Sequence, residues 1–131
     1  MRGSETVLLV EDQKNVRAFL AETLSDLGYA VLQAGSGSEA ILVAKRHAGP
    51  IHLLLTDMVM PGMGGRALAQ ELTRRRPEIR VAYMSGYTGQ SVGSQGPVDP
   101  GSVFLMKPFT RELLTRKIRE ALDRRAVVEA K

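Results

Sequence analysis

The sequence predicts an α/β fold built on a five-stranded parallel sheet, and three observations lead to this prediction. Short apolar runs alternate with segments that repeat apolar residues at the 3.6-residue period of an amphipathic helix. The run LLLTD at 53–57 is continuously apolar until it meets its carboxylate, as in a strand that is covered on both faces. The connections are short and contain Gly, Pro and Ser. Strand–helix alternation of this kind requires right-handed crossovers and a parallel sheet.

The length and composition fit one ordinary globular domain. The chain has 131 residues and no cysteine, which excludes a disulfide framework and a thiolate metal site. We expect the domain to occupy residues 5–125, followed by a short tail at 126–131. Residues 1–4 (MRGS) resemble a cloning remnant, and we expect them to lie outside the domain. No apolar run approaches the roughly 20 residues of a membrane span, and no secretory leader is visible, so we expect a cytoplasmic protein without direct membrane contact.

The net charge of +4 raises the question of nucleic-acid binding, but the distribution of the charges argues against it. The basic residues cluster at 74–76 and 111–125, in segments with helical periodicity, and acidic residues interrupt the second cluster. No aromatic side chain lies among them to stack on bases. We therefore expect solvated helix faces and no nucleic-acid partner.

The first part of the chain predicts two strands and two helices. The apolar runs Thr6–Val10 and Ala30–Ala34 are expected to form the first two strands. Between them, residues 15–27 space four apolar side chains by four, four and three positions, which predicts a helix with Gly28 as its C-terminal cap. A Gly- and Ser-rich turn then leads into a second helix at 38–47.

The second part continues the alternation after the strand at 53–57. A helix is predicted at 65–76, ended by a proline, and a fourth strand at 79–84. Residues 89–101 contain four glycines and two prolines, so any helix there must be short. A fifth strand is predicted at 102–106, and Thr110 is expected to cap the last helix.

Five strands connected in this way fit the flavodoxin-like order 2-1-3-4-5 among the doubly wound sheets. In such a sheet the carboxyl ends of the strands lie at one edge, and ligands bind at that edge. Five polar residues at the ends of the predicted strands are expected to meet there: Glu11, Asp12, Asp57, Ser85 and Lys107.

These residue types favour phosphoryl chemistry that depends on a divalent cation. Three neighbouring carboxylates repel one another, and Mg²⁺ prefers carboxylate and phosphate oxygens. A hydroxyl and a lysine suit the oxygens of a phosphoryl group. No Gly-rich nucleotide loop is present, and neither His47 nor His52 is expected at the edge as a base. Asp57, central and alone at its strand end, is the expected nucleophile and would form an acyl phosphate.

Four motifs stand at the ends of the predicted strands: LLVED (8–12), LLLTDMVMPGMGG (53–65), MSGY (84–87) and FLMKPF (104–109). In this order they resemble the receiver domain of bacterial two-component response regulators, over most of the chain. The sequence before LLVED and the Gly- and Pro-rich stretch before the fifth strand most resemble the C-terminal receivers of hybrid sensor histidine kinases. The resemblance implies a phosphoacceptor switch in a His–Asp phosphorelay, and not an enzyme that works as a stand-alone domain.

By position, the resemblance implies that Asp57 accepts a phosphoryl group from the phosphohistidine of a histidine kinase or a histidine phosphotransfer domain. It implies that Mg²⁺ is bound by Asp12, Asp57 and the backbone carbonyl of Val59, with Glu11 acting mainly through water. We expect the domain to be a monomer or a weak dimer.

The resemblance also implies a switch. Ser85 would bond to the phosphoryl group and Lys107 would pair with it. Phe104 stands at the position of the family's switch aromatic, where a phenylalanine keeps the ring but lacks the hydroxyl of a tyrosine. The peptide bond between Lys107 and Pro108 would be the family's cis peptide.

Two other interpretations stay open from the sequence. A haloacid-dehalogenase-like phosphatase also uses an aspartyl nucleophile on a doubly wound sheet, but it requires a second Asp two residues later, where this chain has Val59. A degenerate receiver would serve only as an interaction module, and the intact set of Glu11, Asp12, Asp57 and Lys107 argues against it.

Overall fold

The computed structural model describes residues 4–85, 103–107 and 109–123. In these residues strands and helices follow one another as β1 (Thr6–Val10), α1 (Lys14–Asp26), β2 (Ala30–Ala34), α2 (Gly37–Arg46), β3 (Leu53–Asp57), α3 (Gly65–Arg75), β4 (Arg80–Ser85), β5 (Val103–Met106) and α4 (Arg111–Asp123). The predicted elements are confirmed to within one residue at their ends. The short helix considered for residues 89–101 lies outside the described residues.

The strands form one parallel sheet in the order β2-β1-β3-β4-β5, which confirms the predicted topology. The register brings the strand ends side by side. Val10 pairs with Thr56, and Asp57 pairs with Met84. The carboxyl ends of β1, β3 and β4 therefore lie at one edge of the sheet.

Helices cover both faces of the sheet and give the domain two core layers. On one face, α1 and α4 pack through side chains such as Leu24 and Ile118, and on the other face α2 and α3 pack through side chains such as Ala40 and Leu72. Leu53 and Leu55 of β3 belong to one layer and Leu54 to the other, and every residue of that strand is buried. This explains why its sequence is continuously apolar.

The helix ends follow local capping chemistry. Gly28 takes a φ of 100°, as predicted for a glycine that ends α1. The Oγ1 of Thr110 accepts a hydrogen bond from Leu113 N at 3.0 Å, which confirms the cap of α4. The predicted start of α2 at Ser38 is one residue late. Ser36 is the extended residue before the helix, and its Oγ accepts from Glu39 N at 3.1 Å.

The amino-terminal edge of the sheet, opposite the predicted site, is fastened by side-chain bonds. Arg76 donates to three carbonyl oxygens around the end of α2: Ala44 (2.9 Å), His47 (3.0 Å) and Gly49 (3.0 Å). The expectation that this arginine belongs to a solvated helix face is therefore wrong.

Two further side-chain bonds lie at the same edge. His52 accepts from Thr6 N through Nδ1 at 2.9 Å, which confirms its place away from the site. Arg119 bonds to Glu5 and lowers the pKa of that carboxyl to about 2.

None of the described helices combines the length and the apolar character that crossing a membrane requires.

Candidate functional site

Three carboxylates meet at the carboxyl edge of the sheet. Glu11 directly follows β1, Asp12 is the next residue, and Asp57 ends β3. One oxygen from each lies within 4.8 Å of the others. Glu11 and Asp57 are buried, whereas Asp12 is exposed to solvent. The cluster is thus open on one side to a small ligand.

Lys107 brings a positive charge from the end of β5 to this cluster. Its Nζ lies 2.7 Å from Glu11 Oε1 and 3.4 Å from Asp57 Oδ2. Burial disfavours the charge on Lys107, but the two carboxylates outweigh that effect and hold the pKa of the lysine above its usual range. The lysine therefore stays charged and offsets part of the repulsion among the acids.

The electrostatics of Asp57 show that this offset is incomplete. Burial raises the pKa of Asp57 to about 6; Lys107 opposes the rise, and Glu11 and Asp12 add to it. The raised pKa means that Lys107 alone does not fully compensate the buried, ionised carboxylate beside its acidic neighbours. The donors gathered here are oxygens, without cysteine or histidine, and such a set fits a hard cation such as Mg²⁺.

The backbone around Asp57 is closely packed. Met58 N donates to Asp57 Oδ1 at 3.1 Å and to the carbonyl of Met84 at 2.7 Å. The backbone N–H that follows β3 therefore helps to orient the carboxylate of Asp57. Gly65, the first residue of α3, donates to Met58 O at 2.9 Å. A Cβ on Gly65 would overlap the carbonyl oxygen of Asp57. Sequence reasoning missed this role, because a glycine after a turn is expected whether or not a neighbour approaches it.

The remaining predicted site residues lie on the same edge or near it. Ser85 ends β4, is 1% exposed, and accepts at its carbonyl from Lys107 N at 2.9 Å. Phe104 is partly buried on β5, with its ring centroid 6.1 Å from that of Tyr83 at an interplanar angle of 50°. The side chain of Val59, two residues after Asp57, is 63% exposed. Pro108 lies outside the described residues, so the cis peptide stays a prediction.

Comparison with protein families bears on these interpretations. Residues 7–119 match the family model described as the response regulator receiver domain. The chain belongs to the receiver-domain family. This identity confirms the predicted function class, a receiver domain of a two-component phosphorelay, and it favours neither the phosphatase nor the interaction-only interpretation.

Curated relatives agree with this assignment. The chain is 36% identical over 124 residues to the sensor kinase CckA of Brucella abortus, a stretch that is 95% of this chain and 13% of that protein. It is 31% identical over 116 residues to the response regulator receiver protein CpdR of the same organism, covering 88% of this chain and 95% of CpdR. The receiver is thus similar both to a small part of a long kinase and to nearly all of a short regulator.

Solved receiver structures share the fold. The receiver domain of the hybrid histidine kinase CckA superposes with a TM-score of 0.74 at 31% identity, over 90% of this chain and 99% of that one. The receiver protein from Sinorhizobium medicae gives a TM-score of 0.79 at 28% identity, over 92% and 95% of the two chains. The predicted resemblance to the receivers of hybrid kinases is confirmed by the first of these.

Proposed function

We propose that Asp57 is the phosphoacceptor of this receiver domain. The observation that carries the proposal is the position of Asp57: its carboxylate ends the central strand β3, with two carboxylates within 4.8 Å and Lys107 at 3.4 Å. Carboxylates can act as nucleophiles toward phosphorus when nearby cations reduce the charge repulsion. Glu11 is less suited to this role, because it is fully buried and its Oε1 is paired with Lys107.

We propose that the acidic cluster holds Mg²⁺ through Asp12, Asp57 and the backbone carbonyl of Val59, with Glu11 contributing through water. The hard oxygen donors support this assignment, and so does the raised pKa of Asp57. When bound, Mg²⁺ would neutralise charge on the phosphoryl oxygens and bring them toward Asp57.

In the phosphoryl transfer, the protein mainly positions the reacting groups and stabilises their charge. An oxygen of Asp57 attacks phosphorus, a P–O bond forms, the P–N bond to the donor histidine breaks, and the released imidazole takes up a proton. Lys107 pairs with the phosphoryl oxygens, and the hydroxyl of Ser85 donates to one of them. Later attack by water returns Asp57 to a carboxylate and releases phosphate. The domain assists these steps on itself and is not a stand-alone enzyme.

Ser85 and Phe104 are proposed to couple phosphorylation to a change of shape. The carbonyl of Ser85 accepts from Lys107 N, so a shift of the serine toward a phosphoryl group acts on the end of β5. Phe104 lies on that strand in contact with Tyr83. Since a phenylalanine has no hydroxyl, its inward position would depend on ring packing alone.

The proposed partner is a histidine kinase or a histidine phosphotransfer domain, in the cytoplasm, with the receiver as a monomer or weak dimer. The similarity to a protein named as a sensor kinase supports a partner of this class.

Phosphorylation with acetyl phosphate tests the proposal. The wild-type protein, Asp57→Asn and the surface control Asp26→Asn are incubated with the donor and Mg²⁺, and the intact mass is then measured. We expect the mass of one phosphoryl group on the wild type and on Asp26→Asn, and none on Asp57→Asn. Equal labelling of all three proteins would reject Asp57 as the acceptor. Omitting Mg²⁺ should abolish most of the labelling.

A further inference from the structure

The side chain of Arg17 extends from the first turns of α1 to the loop that carries the acidic pair. Its Nη1 donates to the backbone carbonyl oxygen of Glu11 at 2.7 Å. Arg17 is itself held in the helix by the bond from its N–H to the carbonyl of Gln13, at 2.9 Å. A partly buried guanidinium thus connects α1 to the end of β1.

The carbonyl that Arg17 holds belongs to the peptide that joins Glu11 to Asp12. On the other side of Glu11, its N–H donates to the carbonyl of Ala34, at the end of β2, at 3.1 Å. The backbone of Glu11 is therefore fixed by two hydrogen bonds, one from each direction. The bond from Arg17 to the carbonyl oxygen fixes the peptide that precedes Asp12, and so it determines how Asp12 is oriented.

Asp12 depends on this backbone more than Glu11 does. The side chain of Glu11 is buried and accepts from Gln13 N at 3.0 Å and from Lys107 Nζ at 2.7 Å. The carboxylate of Asp12 is exposed, and none of the described residues donates a hydrogen bond to it. Its direction toward Asp57 then follows from the direction of the Glu11–Asp12 peptide.

We infer that Arg17 is a positioning residue that orients Asp12 toward the cation site. The inference rests on the proposed function, because it assumes that Asp12 binds the metal. Gly35 provides the space for this arrangement. A Cβ at Gly35 would lie 3.0 Å from Arg17 Nη1, which is tighter than most contacts of a Cβ, so an alanine there would shift the guanidinium by a few tenths of an ångström.

Positioning and simple electrostatics predict opposite results for removal of Arg17. A guanidinium near a divalent cation repels it, so loss of the charge alone would strengthen Mg²⁺ binding. Loss of the hydrogen bond frees the peptide before Asp12 and would weaken binding. Groups that orient a metal ligand are typically worth ten-fold or more in affinity. We therefore expect Arg17→Ala to bind Mg²⁺ roughly ten-fold more weakly than the wild type.

The experiment is a calorimetric Mg²⁺ titration of the wild type, Arg17→Ala, Arg17→Lys and Gly35→Ala. Arg17→Lys keeps the charge and one flexible donor, so its affinity should fall between those of the wild type and Arg17→Ala. Gly35→Ala should weaken binding by a smaller factor and add little when combined with Arg17→Ala. Lys14→Ala, which removes an exposed cation from the start of the same helix, is the control and should not weaken binding.

A measurement without metal separates this inference from the proposed function. The ¹³C carbonyl shift of Glu11 and the backbone order of Asp12 are measured by NMR in the metal-free protein. We expect both to change in Arg17→Ala while the overall fold is retained. Equal or tighter Mg²⁺ binding by Arg17→Ala would overturn the inference. If the wild type bound no Mg²⁺, the proposed function would fail. Unchanged NMR parameters in Arg17→Ala would separately reject the positioning role of Arg17.

Discussion

Lys107 lies closer to Glu11 than to Asp57: its Nζ is 2.7 Å from Glu11 Oε1 and 3.4 Å from Asp57 Oδ2. The short bond joins β5 to the end of β1, and the longer one extends toward β3. The lysine is thus held mainly by a fully buried carboxylate that is not the proposed acceptor. Asp57 keeps an oxygen that is only loosely paired, which is suited to a group that must react.

Lys107 and a divalent cation would compete for the same acidic oxygens. We predict that Lys107→Gln binds Mg²⁺ about ten-fold more tightly at pH 8, because two cations a few ångströms apart repel each other by up to a few kcal/mol. The measurement is a Mg²⁺ titration followed by calorimetry. Lys117→Gln, on α4 and paired with Glu120 at 3.6 Å, serves as the control and should leave the affinity unchanged. Weaker binding by Lys107→Gln would show that the lysine helps to assemble the site instead.

The raised pKa of Asp57 makes the stability of the metal-free protein depend on pH. The folded carboxyl has a pKa of about 6 against an ordinary value of 3.8, so the native state binds the proton more tightly than the unfolded state. The stability that the protonated group contributes is complete below pH 3.8 and is lost as the pH rises through about 6.

Asp57→Asn cannot ionise, so we predict that it is more stable than the wild type at pH 7 by up to about 3 kcal/mol. The difference should disappear toward pH 4. Urea unfolding in the presence of a chelator, across this pH range, measures it. Added Mg²⁺ should stabilise the wild type and reduce the difference. A difference that is constant with pH would contradict the assigned pKa.

The parts of the fold that follow from apolar patterning could be predicted from the sequence. The inner strands β1, β3 and β4 are short and almost entirely buried, and an acid or a glycine stands where each ends, so their ends are visible in the sequence. Once the strand order is fixed, the meeting of Asp57 with Glu11 and Asp12 follows from topology alone. The site could be predicted because its residues sit at strand ends.

Contacts that depend on tertiary distance could not be predicted. Arg74, Arg75 and Arg76 are equivalent in the sequence, yet only the first two pair with Glu71, while Arg76 turns inward to the carbonyls at the end of α2. Likewise, the distances from Lys107 Nζ to the carboxylate oxygens of Glu11 and Asp57 differ by less than an ångström. Residue types and spacing do not encode such differences.

Gly65 gives a test of close backbone packing. At the start of a helix, alanine would ordinarily be favoured over glycine by up to about 1 kcal/mol. Here the added Cβ would overlap the carbonyl of Asp57, so the strand end or α3 must move. We predict that Gly65→Ala lowers the free energy of unfolding by roughly 1–3 kcal/mol and weakens Mg²⁺ binding.

Gly49→Ala is the matched control for this substitution. A Cβ at Gly49 would meet only His47 Nε2, at an ordinary contact distance of 3.5 Å. The free energy of unfolding of Gly49→Ala should stay within about 0.5 kcal/mol of that of the wild type. Chemical denaturation of both variants measures the two effects. A Gly65→Ala protein as stable as the control would show that the helix start moves without cost.

The lifetime of the phosphorylated state should depend on Val59. Hydrolysis of an acyl phosphate needs a water held in line with the bond to Asp57. Val59 stands two residues after the acceptor with a side chain that is 63% exposed and has no hydrogen-bonding group. The water is therefore not positioned from this side, and the reaction loses part of the rate advantage of proximity.

We predict that Val59→Asn and Val59→Glu shorten the lifetime roughly three- to ten-fold, a barrier change of about 1 kcal/mol. Phosphorylation itself should persist, because the proposed metal contact of residue 59 uses its backbone carbonyl. Phosphate release from the purified, phosphorylated protein in Mg²⁺ gives the rate. The control Leu42→Asn replaces an exposed apolar residue on α2, and its phosphorylated state should decay at the wild-type rate. Unchanged decay in both Val59 variants would mean that the rate is set by something other than the orientation of water.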